Sequence, residues 1–267
     1  MHLHERETFI LNAVKERGFV SFQELDTQMA AAPATIRRDL ERLTNAGLLE
    51  RVRGWAKRPG LDVHTSRSAA PAQVGAHLEG VPFTENIQRN MAQKAAIGKA
   101  AAKLCVAREA VMIDGGTTTL QMCQHLGGLE LQVLTNSLSI ASSLLGQRST
   151  RVLVPAGQVF PEQNIILSLS NDDGMPLFHA PKFFMSGAAM GPVGLMQMDM
   201  LLVAAERRFI ERADQVIVLL DSSKFHGRSG HLVCRLEEID IVITDKGVSK
   251  EQVAMLERSD IRVIVAA

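Results

Sequence analysis

Apolar positions fall into three regimes along the chain. Residues 1 to about 58 carry them at helical spacing with short turns between. Over residues 59 to about 82 no period is sustained, and Pro59, Gly60, Pro71, Gly75, Gly80 and Pro82 interrupt any regular element. From about residue 84 onward, short runs rich in Val, Ile and Leu alternate with helical stretches. The runs lie at 111–114, 131–135, 151–155, 182–186, 215–221, 241–245 and 262–265; the helical stretches include 93–105, 117–126, 199–213 and 249–258. Strands this continuously apolar are buried on both faces, so the pattern predicts a largely parallel sheet covered by helices on both sides. The expected architecture is α/β: a small domain at 1–58, a linker at 59–82 and a parallel-sheet domain at 83–267.

In the first domain, S-F-Q-E at 21–24 has the form of a capping box that starts a helix burying Phe22, Leu25 and Met29. Pro33 suits the first turn of a second helix, where its missing amide hydrogen has no partner to lose. Ile36, Leu40 and Leu43 share an inward face of that helix. Thr35, Arg38 and Arg42 form an outward stripe flanked by Arg37. The segment G-L-L-E-R-V-R-G-W-A-K-R at 47–58 then alternates apolar and basic residues around Gly54, as a short β-wing does. Two helices joined by a short turn and followed by a basic wing predict a winged helix-turn-helix. Its candidate DNA-binding residues are Ser21, Thr35, Arg37, Arg38, Arg42, Arg51 and Arg53. The competing reading is a solvated helix in which Arg37 pairs with Glu41.

In the second domain, polar residues gather where the predicted strands end: D-G-G-T-T-T at 114–119, T-N-S at 135–137, S-G at 186–187 and D-S-S-K at 221–224. In an open parallel sheet the carboxyl edge is where ligands bind. Gly115 and Gly116 allow close approach of the backbone, and Thr117, Thr118 and Thr119 with the following helix start suit an anion such as phosphate. The plain alternative is a strand-to-helix turn with Thr117 as a cap. Lys224 can pair with a phosphate or carboxylate and Asp221 can accept from a sugar hydroxyl, or the two can pair with each other. Asp199 stands at a helix start, where capping is its default role, and Ser186, His226 and His231 lie near the same edge. Met185, Met190, Met196, Met198 and Met200 read as filling of core and cleft.

Charge adds a constraint. Lys and Arg number 29, equal to Asp and Glu at 29, so any DNA binding must come from a local segment rather than a global basic field. Hydrophobic residues at 46% place the chain among ordinary globular proteins. The charged N-terminus and the lack of a long uncharged apolar stretch point to a cytoplasmic protein without a membrane span. Cys105, Cys123 and Cys234 lack C-x-x-C spacing, and His2 and His4 sit at a terminus, so no disulfide, metal or cofactor is expected.

The string T-I-R-R-D-L-x-x-L-x-x-x-G-x-L-x-R-x-x-G over 35–54 resembles the signature of the DeoR family of bacterial repressors. Ala32 stands where that family often has Ser, and Trp55 where it often has Gly. K-A-A-I-G-K-A-A-A at 94–102, D-G-G-T-T at 114–118, T-N at 135–136 and D-S-S-K-F at 221–225 extend the resemblance into the sensor domain. What the resemblance implies is a fold similar to ribose-phosphate isomerases and a phosphorylated sugar or sugar-acid effector. It carries phosphate binding onto Gly116 to Thr119, and ligand contact onto Asp114, Asn136, Asp221, Lys224 and Asp199. The segment F-F-M-S-G at 183–187, with G-L-x-x-x-D-M-L at 194–201 and A-E at 205–206, is similar to the branch that controls L-ascorbate utilisation, which implies a ligand like L-ascorbate 6-phosphate.

Two other functions compete. A sugar-phosphate isomerase needs the same phosphate loop plus an acid/base pair, but no D-G-x-D-E segment occurs, and S-G-A-A-M-G fills 186–191. An RNA-binding wing would want an aromatic stacking platform, absent from the basic segment. The expectation is therefore a non-enzymatic repressor without catalytic residues. It would act as a homodimer or homotetramer on operator DNA, with the linker setting the separation of its winged domains.

Overall fold

The computed structural model describes residues 3–17, 19–21, 25, 28–29, 31–52, 55–57, 78–168, 174–227 and 229–267. The chain divides into two compact units, Met1–Gln73 and Val74–Ala267.

The first unit contains α1 (Leu3–Arg17), β1 (Phe19–Ser21), α2 (Pro33–Asn45), β2 (Glu50–Val52) and β3 (Trp55–Lys57). The strands form an antiparallel sheet in the order β1-β3-β2, with Val52 opposite Trp55 and Trp55 opposite Ser21. Ile36, Leu40 and Leu43 of α2 pack with Ile10, Val14, Val20, Leu25, Met29, Leu49 and Ala56 into one core, as the spacing requires. Pro33 occupies the first turn of α2 behind Ala32, which makes no side-chain capping bond. An ion-pair cluster fastens α1 to α2. Buried Asp39 accepts from Arg6 Nε at 2.7 Å and from Arg42 at 2.9 Å, and Arg42 lies 3.5 Å from Glu7.

The second unit is built on a seven-stranded sheet with all neighbours parallel. Its strands are β4 (Ala110–Ile113), β5 (Gln132–Leu134), β6 (Arg151–Leu153), β9 (Ala180–Met185), β12 (Ala213–Leu219), β14 (Ile241–Asp245) and β15 (Arg262–Ala266). They lie in the order β15-β14-β12-β9-β4-β5-β6. Successive residues serve opposite cores. Val111, Ile113, Val133, Phe184, Ile217 and Ile243 pack on one side with α4 (Met91–Ala102) and α5 (Leu138–Leu145). Met112, Leu134, Phe183, Val216, Val218 and Val242 pack on the other with α6 (Met200–Ile210) and α7 (Lys250–Glu257). The Phe183 ring stacks on Phe209 of α6 at a centroid distance of 5.1 Å. Both faces being covered explains why the strands read as unbroken apolar runs.

Three expectations change in detail. The stretch 117–126 forms a turn and a 3-10 helix at Thr119–His125 rather than an α-helix, which shortens the run of aligned dipoles behind the glycine loop. Regions without a strand pattern contain two small sheets. One is the hairpin of β7 (Gln158–Phe160) and β8 (Ile165–Leu167); the other is β10 (Ala189–Gly191), β11 (Gly194–Gln197) and β13 (His231–Cys234) in that order. Strands of three or four residues are too short to show a period of two. Finally, the end of the proline-rich stretch is attached to the sensor unit, not free of it. Leu78 is buried, the Glu79 amide donates to Asp199 Oδ2 at 3.0 Å, and Gln163 donates to the Val81 carbonyl at 3.2 Å. Just beyond, α3 (Phe83–Asn86) is fastened by the Phe83 amide to the Glu162 carbonyl at 2.7 Å.

Candidate functional site

Strands β12, β9, β4 and β5 are consecutive neighbours, so the residues that follow them stand in one row along the carboxyl edge: Asp221, Ser186, Asp114 and Asn136. At about 4.8 Å between strands this row has the span of a small molecule. All four are buried.

The row is held by its own hydrogen bonds. Asn136 Nδ2 donates to Asp114 Oδ1 at 3.0 Å, and Asn136 Oδ1 accepts from the Gly115 amide at 2.8 Å. A Cβ at position 115 would lie 2.4 Å from Ile165 Cγ2, so only glycine fits there. Thr119 Oγ1 donates within the loop, its oxygen lying 2.8 Å from the Asp114 carbonyl and 3.0 Å from that of Gly116. Thr117 is buried and makes no cap; Thr118 precedes the 3-10 helix, also without a side-chain capping bond, and its buried hydroxyl has no partner among the described residues. That hydroxyl is a polar group awaiting an acceptor.

Two lysines converge on the same edge. Lys224 donates to the Gly187 carbonyl and makes no ion pair with Asp221, contrary to the Asp-Lys alternative. Burial pushes its ammonium down, opposed by the charges of Asp221 and Glu206. Lys94, only 1% exposed, donates to the Asn86 carbonyl at 2.5 Å, and burial together with the Lys224 charge lowers it to about 8. Two desolvated ammonium groups that repel each other are relieved by an anion. Asp221 accepts from Asn90 Nδ2 at 2.9 Å, from the Ser223 amide at 3.2 Å and from the Ser223 hydroxyl.

One residue that entered the sequence reading only through the family resemblance takes a place beside the row. Glu206, on α6, is 1% exposed and takes the Gln197 amide on Oε1 at 2.5 Å. Its Oε2 faces no hydrogen-bond donor among the described residues. Burial, reinforced by the Asp114 charge, holds Glu206 well above the usual carboxylate range, and burial pushes Asp114 up to about 6. The signal available was a lone carboxylate at a core position, three residues before Phe209 in an apolar helix.

Other expected residues are placed apart from the row or committed elsewhere. Asp199 caps α6, accepting from the Leu201 amide at 2.7 Å on Oδ1 and from Glu79 on Oδ2. His226 lies 3.3 Å from Gln252 on α7, and His231 is in β13 opposite Gln197. Cys123 and Cys234 are buried, and burial pushes the thiols of all three cysteines up to about 12, so none is a ready nucleophile. No cluster of metal-ligating residues occurs among the described residues.

In the first unit, Arg38 is exposed on α2 and Thr35 is half-buried near it. Arg42, on the same stripe, is half-exposed but tied to Asp39 and Glu7. Arg51 lies in β2 and Ser21 ends β1; their side chains, with that of Arg37 and with Arg53, Glu24, Phe22 and Arg58 altogether, lie outside the described residues. No helix of the described residues is long and apolar enough to cross a membrane.

Comparison with known proteins agrees with these two units. The DeoR-like helix-turn-helix domain matches residues 6–60, and the DeoR C terminal sensor domain matches residues 89–246. The HTH-type transcriptional regulator UlaR of Escherichia coli (strain SMS-3-5 / SECEC) is 29% identical over 260 residues, covering 97% of this chain and 98% of that protein. The UlaR of Shigella boydii serotype 18 (strain CDC 3083-94 / BS512) gives the same 29% identity and coverage. Among solved structures, ribose 5-phosphate isomerase A of Methanocaldococcus jannaschii is similar at a TM-score of 0.38 and 14% identity. That likeness covers 51% of this chain and about half of the isomerase, 55%. The curated relatives that span the chain are transcriptional regulators rather than enzymes. A DNA-reading unit followed by a sensor unit is therefore the organisation of this protein, which belongs to the DeoR family of helix-turn-helix transcriptional regulators.

Proposed function

We propose that this regulator is a cytoplasmic repressor of a sugar or sugar-acid catabolic operon, and that a phosphorylated sugar or sugar acid releases it from DNA. The division of labour follows the sequence: residues 1–58 read DNA, 59–82 connect, and 83–267 sense. Arg38, Thr35 and Arg37 at the start of α2 approach base edges, while Ser21, Arg42, Arg51 and Arg53 serve phosphates. The effector's phosphate lies against Gly115 to Thr119 with Lys224, and its hydroxyls against Asp114, Asn136, Ser186 and Asp221. Asp199 acts through the helix it caps. The protein works as a homodimer or homotetramer, matching the paired half-sites typical of helix-turn-helix operators.

One observation carries the effector reading: four adjacent strand ends present buried polar side chains beside two desolvated lysines and an unpartnered Thr118 hydroxyl. The same edge holds the chain that arrives from the DNA-binding unit, since Asn90 donates to Asp221 and Glu79 to Asp199. An effector hydroxyl that takes Asp221 competes with Asn90, which gives ligand binding a differential effect on that segment.

The test is anisotropy of labelled DNA from upstream of the protein's own gene, titrated at several salt concentrations, with a panel of sugar phosphates including L-ascorbate 6-phosphate. Specific binding that one compound weakens is expected. DNA binding indifferent to every compound would remove the effector reading.

A further inference from the structure

We propose that Glu206 is a specificity-determining residue of the effector site: it shares a single proton with Asp114, and through that pair the site reads a hydroxyl of the ligand. The inference rests on the effector reading above and deepens it.

Two buried carboxyl groups on elements far apart in the chain act on each other, one of them with a buried oxygen that has no donor among the described residues. Asp114 follows β4 and opens the glycine loop; Glu206 reaches it from the middle of α6. They are 4% and 1% exposed. Neither forms an ion pair among the described residues; Lys224, which influences Glu206 electrostatically, donates to the Gly187 carbonyl. Two adjacent buried carboxylates without a paired cation carry a prohibitive desolvation and repulsion penalty, so one proton stays with the pair. Asn136 and Gln197 each give an amide hydrogen to one oxygen of a carboxyl, and Glu206 Oε2 is a fully buried oxygen without a donor among the described residues. A proton between Oε2 and Asp114 satisfies it.

Such a pair offers a hydroxyl both an acceptor and a donor, beside Asn136 in the row and within reach of the Lys224 charge. A ligand with phosphate but no hydroxyl leaves those buried groups unanswered, and sites built around a hydroxyl discriminate strongly against analogues lacking it.

The experiment compares inorganic phosphate with ribose 5-phosphate and L-ascorbate 6-phosphate by isothermal titration of the full chain and of Glu206→Leu. Each titration is run in two buffers of different ionisation enthalpy. The expected result is that Glu206→Leu binds inorganic phosphate within about threefold of the unaltered protein but loses at least about tenfold in affinity for the sugar phosphate that binds. Should that variant not fold, Glu206→Gln serves: it keeps both hydrogen-bonding atoms but not the shared proton, so the number of protons exchanged on binding must change. Equal loss for phosphate and sugar phosphate, no loss for either, or an unchanged proton count in Glu206→Gln overturns the inference while the effector reading stands. Failure of the unaltered protein to bind any probe overturns both.

Discussion

Asn136 bridges Asp114 and the glycine loop with one amide, donating to Asp114 Oδ1 at 3.0 Å while accepting from the Gly115 amide at 2.8 Å. The end of β5 thereby sets the position of the residues after β4. Replacing it by Leu, of similar volume, strips Asp114 of a donor and Gly115 of an acceptor in a buried place. The expected loss is about 1–3 kcal/mol of sensor stability for each unsatisfied group, several degrees in melting temperature, with effector-induced stabilisation gone. A circular-dichroism melt with and without sugar phosphate measures both.

Gly98 does the same work from behind. A Cβ there would lie 2.6 Å from Gln121 Cβ and 2.7 Å from the Gln121 carbonyl carbon, which is backbone and cannot swing aside. Glycine to alanine ordinarily favours a helix interior by about 1 kcal/mol. At Gly98 the sign reverses: α4 must move off the 3-10 helix, at a cost of about 1–3 kcal/mol. Chemical denaturation of Gly98→Ala should show a lower midpoint, and a higher one would mean that the segment yields freely.

Arg38→Ala should weaken operator binding about tenfold and reduce the dependence of log affinity on log salt by about one, since one phosphate or base contact is removed. Thermal stabilisation by the effector should be unchanged. Loss of both in one variant would count against separate reading and sensing units.

Lys224→Met should do the opposite. Operator binding persists, but sugar phosphates no longer dissociate the complex, because the cation beside Glu206 and Asp221 is gone. Native gel shifts with increasing sugar phosphate distinguish a super-repressor of this kind from the unaltered protein.

The pH dependence of stability has a definite sign. Asp114 and Glu206 hold protons more tightly in the folded chain than in the unfolded one. Their contribution is fully present at pH values below the ordinary carboxyl range and is lost as pH rises through the raised values, for Asp114 from 3.8 to about 6. Asn136, Gln197 and the Lys224 charge face the pair and limit the loss. Glu206→Gln should flatten this decline and be at least as stable as the unaltered protein at pH 7, by urea midpoints taken across the range.

Much of this was legible in the chain because burial on both faces leaves parallel strands as unbroken apolar runs. All seven appeared within a few residues of their observed ends, and so did the polar residues that follow them. The pairing of Glu206 with Asp114 was not legible. Glu206 meets Asp114 only after α6 packs on the sheet, and no spacing in the sequence relates the two. Arg42 shows the converse limit. Its place on the outward stripe of α2 was evident from helical period, yet its partner Glu7 comes from α1, and a single helix pattern cannot announce an ion pair with another helix. The small sheets escaped because strands of three residues carry too little alternation to stand out.

Trp55 stands in β3, opposite Val52 and Ser21, and the chain has no other tryptophan and no tyrosine. Ultraviolet emission from this protein is thus a single-site optical signal, issued from the wing sheet. The whole parallel-sheet unit, with phenylalanine as its sole aromatic, is dark at tryptophan wavelengths. Adding a ligand to that dark unit and watching the emission of Trp55 asks, without any label, whether news of the effector reaches the part of the molecule that touches DNA.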